Sequence, residues 1–464
     1  MTVIDAAIIV LYLIGIVVFA MAKRKPAGSS AVDYMLDGRK LTLPAFVATL
    51  VCNWYGGILG VGEYSFKYGV SNWLVFGVPY YVAALLFALL LARKARRTEF
   101  LTIPDRLFQC YGRHVAGLGA LVIFLWTLPT AYILILGVLG ESFFGWPKWL
   151  GVVLGAGLVT FYAFVGGFRT LVRADTWHFV FMYSGFIIML IVLVVTKGGY
   201  DFLVANAPAS HFTLTGGNSI WYIAVWYIIA LATLVEPSFF QNCYAARDES
   251  TARRGILVSI CCWFVFDFLT TTCGIYARAI LPAGTDPIAS YPLLGQAVLP
   301  PGLWGLFAVS MLAVVISTAD SYLFIAAATV GKDLMVGWFG KKPDRANFYT
   351  RCALIGGALL TVIVSTMLES VVDIWYGFGS VGTPIMLIPL VSTFLGPRRM
   401  PPRIVMISML CSGLASGLWL YSTNLTVDSG YWLSLQPIFP GLIISLLFYL
   451  FGSRRYVASE PIQG

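Results

Sequence analysis

Apolar stretches without a charged residue recur along the chain, for example at residues 115–140, 149–168 and 374–397. Each is long enough for an α-helix to cross a hydrocarbon core of about 30 Å. The repeated pattern predicts an all-α polytopic membrane protein with about 13 transmembrane helices. The predicted spans are residues 4–21, 43–62, 72–91, 115–137, 150–165, 175–196, 220–237, 255–276, 303–330, 352–367, 371–395, 404–421 and 433–451.

Glycine and proline interrupt two of these spans. The second span contains Gly56, Gly57, Gly60 and Gly62, and the seventh ends in the sequence Val-Glu-Pro at 235–237. Interrupted helices at corresponding positions of two halves indicate a transporter binding site near the bilayer midplane. The alternative is that these glycines only allow close helix packing, as small residues do in membranes.

The positions of the interrupted spans suggest a division of the chain into two halves. If spans 2–6 and 7–11 form two five-helix units, an interrupted span opens each unit. We therefore expect residues 1–464 to form a single transmembrane transporter domain. Its predicted parts are an extra N-terminal helix at 1–22, repeat 1 at 41–196, repeat 2 at 218–395 and extra C-terminal helices at 403–452.

The amino-acid composition supports a membrane protein. Hydrophobic residues make up 59% of the 464 residues and charged residues 11%, whereas soluble domains carry about 25% charged residues. The mean hydropathy of +0.85 agrees with this assignment. These values exclude a soluble enzyme, a nucleic-acid binder and a secreted module, and they make the lipid bilayer the principal surroundings of the chain.

The net charge of +9 is distributed unevenly between the loops of the predicted spans. All but four of the 30 lysines and arginines lie on one side of the membrane, including a cluster at residues 23–25. The four exceptions are Lys67, Lys148, Lys197 and Arg278. Because basic loops face the cytoplasm, we expect a plasma-membrane protein with its N-terminus outside, its C-terminus in the cytoplasm and no nucleic-acid partner.

Acidic residues inside the predicted spans are rare, and each is a candidate functional residue because a charge is costly within a membrane. The ninth span contains the densest polar group, formed by Ser317, Thr318, Asp320 and Ser321. Helical spacing places Ser317 on one face with Asp320 and Ser321. Hydroxyl and carboxylate oxygens suit a hard cation such as Na⁺. The alternative is that the hydroxyl groups bond to carbonyl groups one turn back while Asp320 pairs with an arginine.

Several segments resemble the sodium/solute symporter family. The ninth span and its approach carry the sequence LPPGLWGLFAVSMLAVVISTADSYL at 299–323. The sequence GGFR at 166–169, followed by Asp175, matches the family pattern at the turn between the fifth and sixth spans. Further matches precede span 2, precede span 4 and follow span 7. Some positions depart from the pattern. His178 replaces a frequent glutamine, Arg173 replaces a frequent aromatic residue, and Gln241-Asn242 follows span 7 in place of a frequent Gln-Arg pair. In span 2, the residues 52–55 replace the small and hydroxyl residues that are common around the break.

The resemblance implies the five-plus-five inverted-repeat transporter fold with discontinuous helices, and the import of a small organic solute driven by Na⁺. It implies a sodium site at the hydroxyl groups of Ser317 and Thr318 and the carbonyl group of Val314. Carbonyl groups of span 2, at Leu50 and Asn53, would complete this site. The resemblance implies no cofactor besides the coupling ion, and no obligate protein partner is evident.

Some members of the family hold a second ion, and the resemblance places that site here at Asp175, Asp320 and Ser321. An alternative for Asp175 is an ion pair with an arginine. Arg169 and Arg173 both lie close to it in the sequence. The sequence therefore leaves the choice between an ion ligand and a structural ion pair open.

The resemblance also places the solute in a cavity between spans 2, 3, 7, 8 and 11. Asp267 is the most informative candidate there, because an acid in the middle of span 8 needs a partner. It could meet a cationic or amine group of the solute or serve as a proton site; the alternatives are an ion pair with Arg278 and a hydrogen bond to Tyr276. The solute-binding candidates are Asn53, Trp54, Tyr55, Tyr80, Tyr81, Trp226, Tyr227, Asp267, Trp375 and Tyr376.

The leading hypothesis is a sodium-coupled secondary symporter that works by alternating access. One alternative is a proton-coupled or uncoupled transporter of the same fold, for which acids such as Asp267 would suffice. Another is a membrane sensor built on a transporter-like domain. An enzyme is the least favoured class, because the sequence contains no metal-ligand spacing, phosphate loop or nucleophile elbow.

Overall fold

The structure is a computed structural model that describes residues 2–22, 30–368, 371–425 and 430–455. The basic cluster at 23–25 and the last nine residues of the chain lie outside this part. The first half of the described chain consists of the helices α1 (Val3–Ala22), α2 (Ala31–Leu36), α3 (Leu43–Trp54), α4 (Ile58–Tyr68), α5 (Val78–Leu90), α6 (Ala92–Arg97), α7 (Ile103–Tyr111), α8 (Arg113–Trp126), α9 (Thr130–Phe144), α10 (Lys148–Lys197) and α11 (Tyr200–Asn206).

The second half of the described chain is helical too, apart from one short strand pair. This pair lies on the side of the predicted spans that holds most lysines and arginines, which we call the basic side. Strands β1 (Arg398–Arg399) and β2 (Arg454–Arg455) pair in antiparallel register. The remaining helices are α12 (Ile220–Ile229), α13 (Pro237–Ala245), α14 (Glu249–Ile280), α15 (Ser290–Val298), α16 (Leu303–Ala328), α17 (Ala346–Met367), α18 (Val371–Phe394), α19 (Pro402–Tyr421) and α20 (Ile438–Gly452).

The all-α prediction is confirmed, while the boundaries of several spans differ from the predicted ones. In the described part, ten apolar helical segments have the length to cross a membrane, and two shorter apolar helices accompany them. The predicted fifth and sixth spans both lie in α10, which consists of two helices that meet at a kink at Gly167. Gly167 has φ +61°, a conformation that glycine adopts without steric cost. The number of about 13 crossings therefore stays a prediction.

The predicted fourth span ends too early, because the helical segment continues to Phe144. It consists of α8 and α9, which are separated by Thr127, Leu128 and Pro129. The prediction missed this interruption. Pro129 has no backbone N–H and restricts the residue before it to extended conformations, so the chain leaves the helical path there and resumes it at Thr130.

Helix α16, the predicted ninth span, lies at the centre of the bundle. Every residue of its most apolar stretch is buried, compared with 28% for α10. It packs against α1, α3, α9, α10 and α17. The N-terminus of α16 is capped from another helix, since Asp5 Oδ1 of α1 accepts hydrogen bonds from the N–H groups of Gly302 at 2.8 Å and Gly305 at 3.0 Å. The polar group of the ninth span is thereby held in the interior.

The two predicted helix interruptions are present. In span 2, α3 and α4 are joined by a 3₁₀ turn, Tyr55–Gly57. In span 7, α12 continues as a 3₁₀ segment, Ala230–Val235, and Glu236 is extended before α13 begins at Pro237. The two interrupted spans also meet at their basic-side ends, where the Leu41 N–H donates to Ala245 O at 3.0 Å.

Candidate functional site

The interruption of span 2 packs directly on the hydroxyl groups of α16. The Thr318 hydroxyl donates to the carbonyl oxygens of Cys52 at 3.0 Å and Val314 at 3.1 Å. Gly56 permits this approach, because a Cβ atom at that position would overlap the Thr318 side chain. One hydroxyl group therefore joins α16 to the carbonyl end of α3.

The neighbouring hydroxyl group joins α16 to two other helices. Ser317 Oγ donates to Asp175 Oδ1 of α10 and lies 3.4 Å from Asn53 Oδ1 of α3. One turn further along α16, Ser321 Oγ donates to Asp320 Oδ1 at 3.3 Å. The structure thus brings the oxygen atoms of α3, α10 and α16 together in one buried cluster, which we call the oxygen cluster. Its members are Cys52, Asn53, Asp175, Val314, Ser317, Thr318, Asp320 and Ser321.

Both acids of the oxygen cluster are fully buried, and neither is paired with a lysine or arginine of the described chain. Asp175 Oδ2 and Asp320 Oδ2 have no hydrogen-bond partner within that part. Burying a carboxylate without a compensating charge is costly. Oxygen ligands around an uncompensated negative charge are the surroundings that a hard cation prefers.

The arginine alternatives for these acids are wrong. Arg169 Nε lies 3.4 Å from Asp37 Oδ1 instead, and Arg173 is exposed. The basic side chain closest to the cluster is His178, whose Nδ1 lies 3.7 Å from Asp175 Oδ1. His178, which departs from the family pattern, therefore lies directly beside the oxygen cluster.

Only one of the two predicted span-2 ligand residues lies in the oxygen cluster. Asn53 contributes its side-chain amide oxygen, and the carbonyl oxygen bonded to Thr318 is that of Cys52. Leu50 lies earlier in α3 and is buried. Its carbonyl group as an ion ligand remains a prediction.

A cavity of about 180 Å³ lies next to the oxygen cluster and is lined by spans 2, 3, 4, 7, 8, 9 and 11. Seven of the solute-binding candidates line it, whereas Tyr81, Tyr227 and Tyr376 do not. Those that line it are Asn53, Trp54, Tyr55, Tyr80, Trp226, Asp267 and Trp375.

Asp267 is held by two tyrosines rather than by the partners that the sequence suggested. Tyr55 OH donates to Asp267 Oδ1 at 2.7 Å, and Tyr81 OH donates to Oδ2. Arg278 instead lies over the ring of Phe66, and Tyr276 OH donates to Gly198 O at 2.6 Å. Both structural alternatives for Asp267 are therefore wrong. Its carboxylate borders the cavity without a basic partner in the described chain.

The prediction missed Glu236 as a lining residue. Glu236 occupies the extended position between the 3₁₀ segment of span 7 and α13, and its Oε1 accepts a hydrogen bond from Tyr322 OH at 2.9 Å. Its side chain borders the cavity. A signal was present in the sequence, because an acid immediately before a proline within an apolar span marks both a helix interruption and an unusual charge.

Comparison with models of known protein families identifies the family of this protein. The model of the sodium:solute symporter family matches residues 34–410. The chain belongs to the sodium:solute symporter family. This confirms the resemblance, and as a family member the protein is a sodium-coupled solute symporter.

Sequence relatives of this symporter cover nearly its whole length. It is 27% identical over 466 residues to the sodium/pantothenate symporter of Escherichia coli (strain K12), covering 95% of this chain and 93% of the relative. It is 26% identical over 445 residues to an osmoregulated proline transporter of Bacillus subtilis (strain 168), covering 89% and 87%.

Solved structures show the fold. A Na⁺-coupled sialic acid symporter in a substrate-bound, outward-open state has a TM-score of 0.83 at 14% identity, covering 98% of this chain and 100% of that one. A nucleobase-cation-symport-1 family transporter in a closed conformation has a TM-score of 0.58 at 12% identity, covering 93% and 92%. The chain thus has the helical transporter fold of these symporters.

Proposed function

We propose that this symporter imports a small organic solute together with Na⁺ by alternating access of two inverted repeats, residues 41–196 and 218–395. The solute occupies the cavity, and the ion occupies the oxygen cluster. The observation that carries the proposal is the pair of buried carboxylates, Asp175 and Asp320, which have no lysine or arginine partner in the described chain and adjoin the span-2 interruption.

The ion ligands that we propose fall into two sets. The first set consists of the hydroxyl groups of Ser317 and Thr318 with the Val314 carbonyl group and carbonyl groups of span 2. Leu50, Cys52 and Asn53 are the span-2 candidates, and the contact of Thr318 with Cys52 supports the middle one. The second set consists of Asp175, Asp320 and Ser321, whose negative charge favours a further cation.

Two residues connect the proposed ion site with the solute cavity. Asn53 borders the cavity and lies beside Ser317, and Tyr322, which follows Ser321 in α16, also lines the cavity. An ion that orders the span-2 interruption against α16 therefore orders part of the cavity wall. This coupling is reciprocal, so Na⁺ raises solute affinity by the factor by which the solute raises Na⁺ affinity.

The ion site is tested on purified protein by thermal unfolding in Na⁺ and in K⁺ at equal ionic strength. We expect Na⁺ to raise Tm, because ligands that bind only the folded state stabilise it. In the double variant Ser317→Ala/Thr318→Ala, the Na⁺ concentration for half of the maximal Tm shift should rise roughly tenfold or more, within the usual range of such couplings.

The matched control is Ser408→Ala/Ser412→Ala, which removes two buried hydroxyl groups from α19. It should leave the Na⁺ midpoint unchanged. An unchanged midpoint in the Ser317/Thr318 variant would show that the ion binds elsewhere or that the driving ion is not Na⁺.

The proposed location is the plasma membrane, with the N-terminus outside and the C-terminus in the cytoplasm. The asymmetry of the basic residues supports this orientation. The ten membrane-length apolar helices of the described chain support a multi-pass protein.

A further inference from the structure

The charges that border the solute cavity are all negative. Glu236 and Asp267 both line it, and the lining residues include no lysine, arginine or histidine. Neither acid has an ion-pair partner in the described part of the chain; their contacts are the hydroxyl groups of Tyr322, Tyr55 and Tyr81. The cavity therefore presents two carboxyl groups without a fixed counter-charge.

An anionic solute finds no favourable place in this cavity. The positive end of an interrupted helix is the usual site for an anionic group in such transporters. Here the N-cap residue of α13 in span 7 is itself an acid, Glu236. A second anion there would meet Glu236 at low dielectric, where repulsion between like charges is strong.

Aromatic residues make up half of the remaining wall. Ten of the lining residues are Trp, Tyr or Phe, and the tryptophans come from four different spans. Indole and phenol faces attract cations, most strongly when the cation is desolvated. The tryptophans are Trp54, Trp126, Trp226 and Trp375.

We propose that the transported solute is an organic cation whose ammonium nitrogen lies among Glu236, Asp267 and the aromatic wall. This inference rests on the proposed function and adds the chemical class of the solute. The ammonium group would supply the counter-charge that the two acids lack, and the aromatic faces would replace its hydration shell. Solutes of net negative charge are excluded by the same two acids.

The test compares compounds of the same shape and different charge. The purified symporter in Na⁺ is titrated with choline and with its neutral isostere 3,3-dimethylbutan-1-ol, and Tm is measured. The ring series cyclohexylammonium, cyclohexanol and cyclohexanecarboxylate provides a second shape. We expect at least one cation to raise Tm at a concentration at least roughly tenfold below that of its neutral isostere, which corresponds to about 1.4 kcal/mol. Pantothenate and proline are included because relatives transport them.

Two acid variants and one control identify the site. Glu236→Gln and Asp267→Asn keep the side-chain shape. Each should weaken the binding of the cation by roughly tenfold or more and leave the effect of the neutral isostere on Tm unchanged. Glu63→Gln is the control, because Glu63 pairs with Lys67 at 2.6 Å and does not line the cavity. This control should retain the full cation response.

Three results would overturn the inference: no cation of the panel raises Tm, a neutral or anionic compound is as effective as its cationic isostere, or both acid variants keep the cation preference. A Tm increase by Na⁺ alone remains measurable in each case. Absence of a cation preference in the unmodified protein with an intact Na⁺ response rejects only the solute class, whereas absence of a Na⁺ response rejects the proposed function.

Discussion

At the scale of single residues, the contacts of each buried or membrane-embedded acid indicate its role more clearly than its position in the sequence does. Glu63 is paired with Lys67 and partly exposed. Asp267 is held by two tyrosines at the cavity. Asp175 and Asp320 are fully buried, each with one carboxylate oxygen that has no partner in the described chain. Among these four acids, only Asp175 and Asp320 combine full burial with an unpartnered carboxylate oxygen and a hydrogen bond from a serine hydroxyl group.

The first prediction concerns Asp320. Asp320→Asn removes one negative charge from the oxygen cluster but keeps the side-chain volume, so that the protein should fold and its Na⁺ response should weaken. We expect the Na⁺ concentration for half of the maximal Tm shift to rise roughly tenfold, within the range of single coupling energies. Glu63→Gln is the matched control. Misfolding of Asp320→Asn in both Na⁺ and K⁺ would instead indicate a structural role for the carboxylate.

The sequence alone identified some of the side chains that border the cavity. Seven solute-binding candidates border the cavity, and the cluster on α16 is compact in sequence. It could not show which partner each acid takes. Ser317 and Asp175 are 142 positions apart, and Asp267 meets Tyr55 across 212 positions. Such contacts depend on how helices pack, and local periodicity carries no information about them.

At the scale of helices, glycine and proline correctly predict a helix interruption where two glycines are adjacent or where proline follows a charged residue. The interruptions at Tyr55–Gly57 and at Glu236 were predicted from them. The interruption at Pro129 was not predicted, because a single proline in a long apolar segment is equally compatible with a kinked continuous helix. The capping of α16 by Asp5 was not predicted either, since the two segments are about 300 positions apart.

The second prediction concerns the interruption of span 2. Gly56→Ala introduces a Cβ atom that overlaps the Thr318 side chain, so that the Cys52 carbonyl group should move away from α16. Overpacking of this kind costs about 1–3 kcal/mol, and we expect a lower Tm in K⁺ together with a reduced Na⁺ shift. Tm in the two salts measures both effects.

The control for this change is Gly157→Ala in α10, where an added Cβ atom has no neighbour within 4 Å. It should leave both Tm and the Na⁺ shift near those of the unmodified protein. If Gly56→Ala lowers Tm but preserves the full Na⁺ shift, the span-2 interruption does not contribute ion ligands.

At the scale of the whole molecule, the basic-side surface connects the two proposed repeats by polar contacts. Lys332 Nζ lies 2.9 Å from Asp333 Oδ1 and contacts Asp105 of α7. Arg97 of α6 pairs with Glu249 of α14 at 2.8 Å. The contacts of Lys332 with Asp105 and of Arg97 with Glu249 each join residues 41–196 to residues 218–395. Alternating access requires contacts of this kind to break and reform on the side toward which the cavity opens.

The last prediction is the orientation of the molecule in the membrane. All but four of the 30 basic residues lie on one side of the predicted spans, and cytoplasmic loops are the ones enriched in lysine and arginine. A reporter fused after Gln463 should therefore lie in the cytoplasm, and an epitope inserted beside Thr215, in the loop between α11 and α12, should lie outside. Protease protection of intact cells distinguishes the two positions. An epitope beside Lys342, which is exposed between α16 and α17, serves as the internal reference for the cytoplasmic side. If the Gln463 and Thr215 sites are both accessible or both protected, the number of crossings between them is even and the 13-span prediction is wrong. If they are exchanged, the charge asymmetry does not determine the orientation, and the contacts of Lys332 and Arg97 lie on the outer side of the symporter.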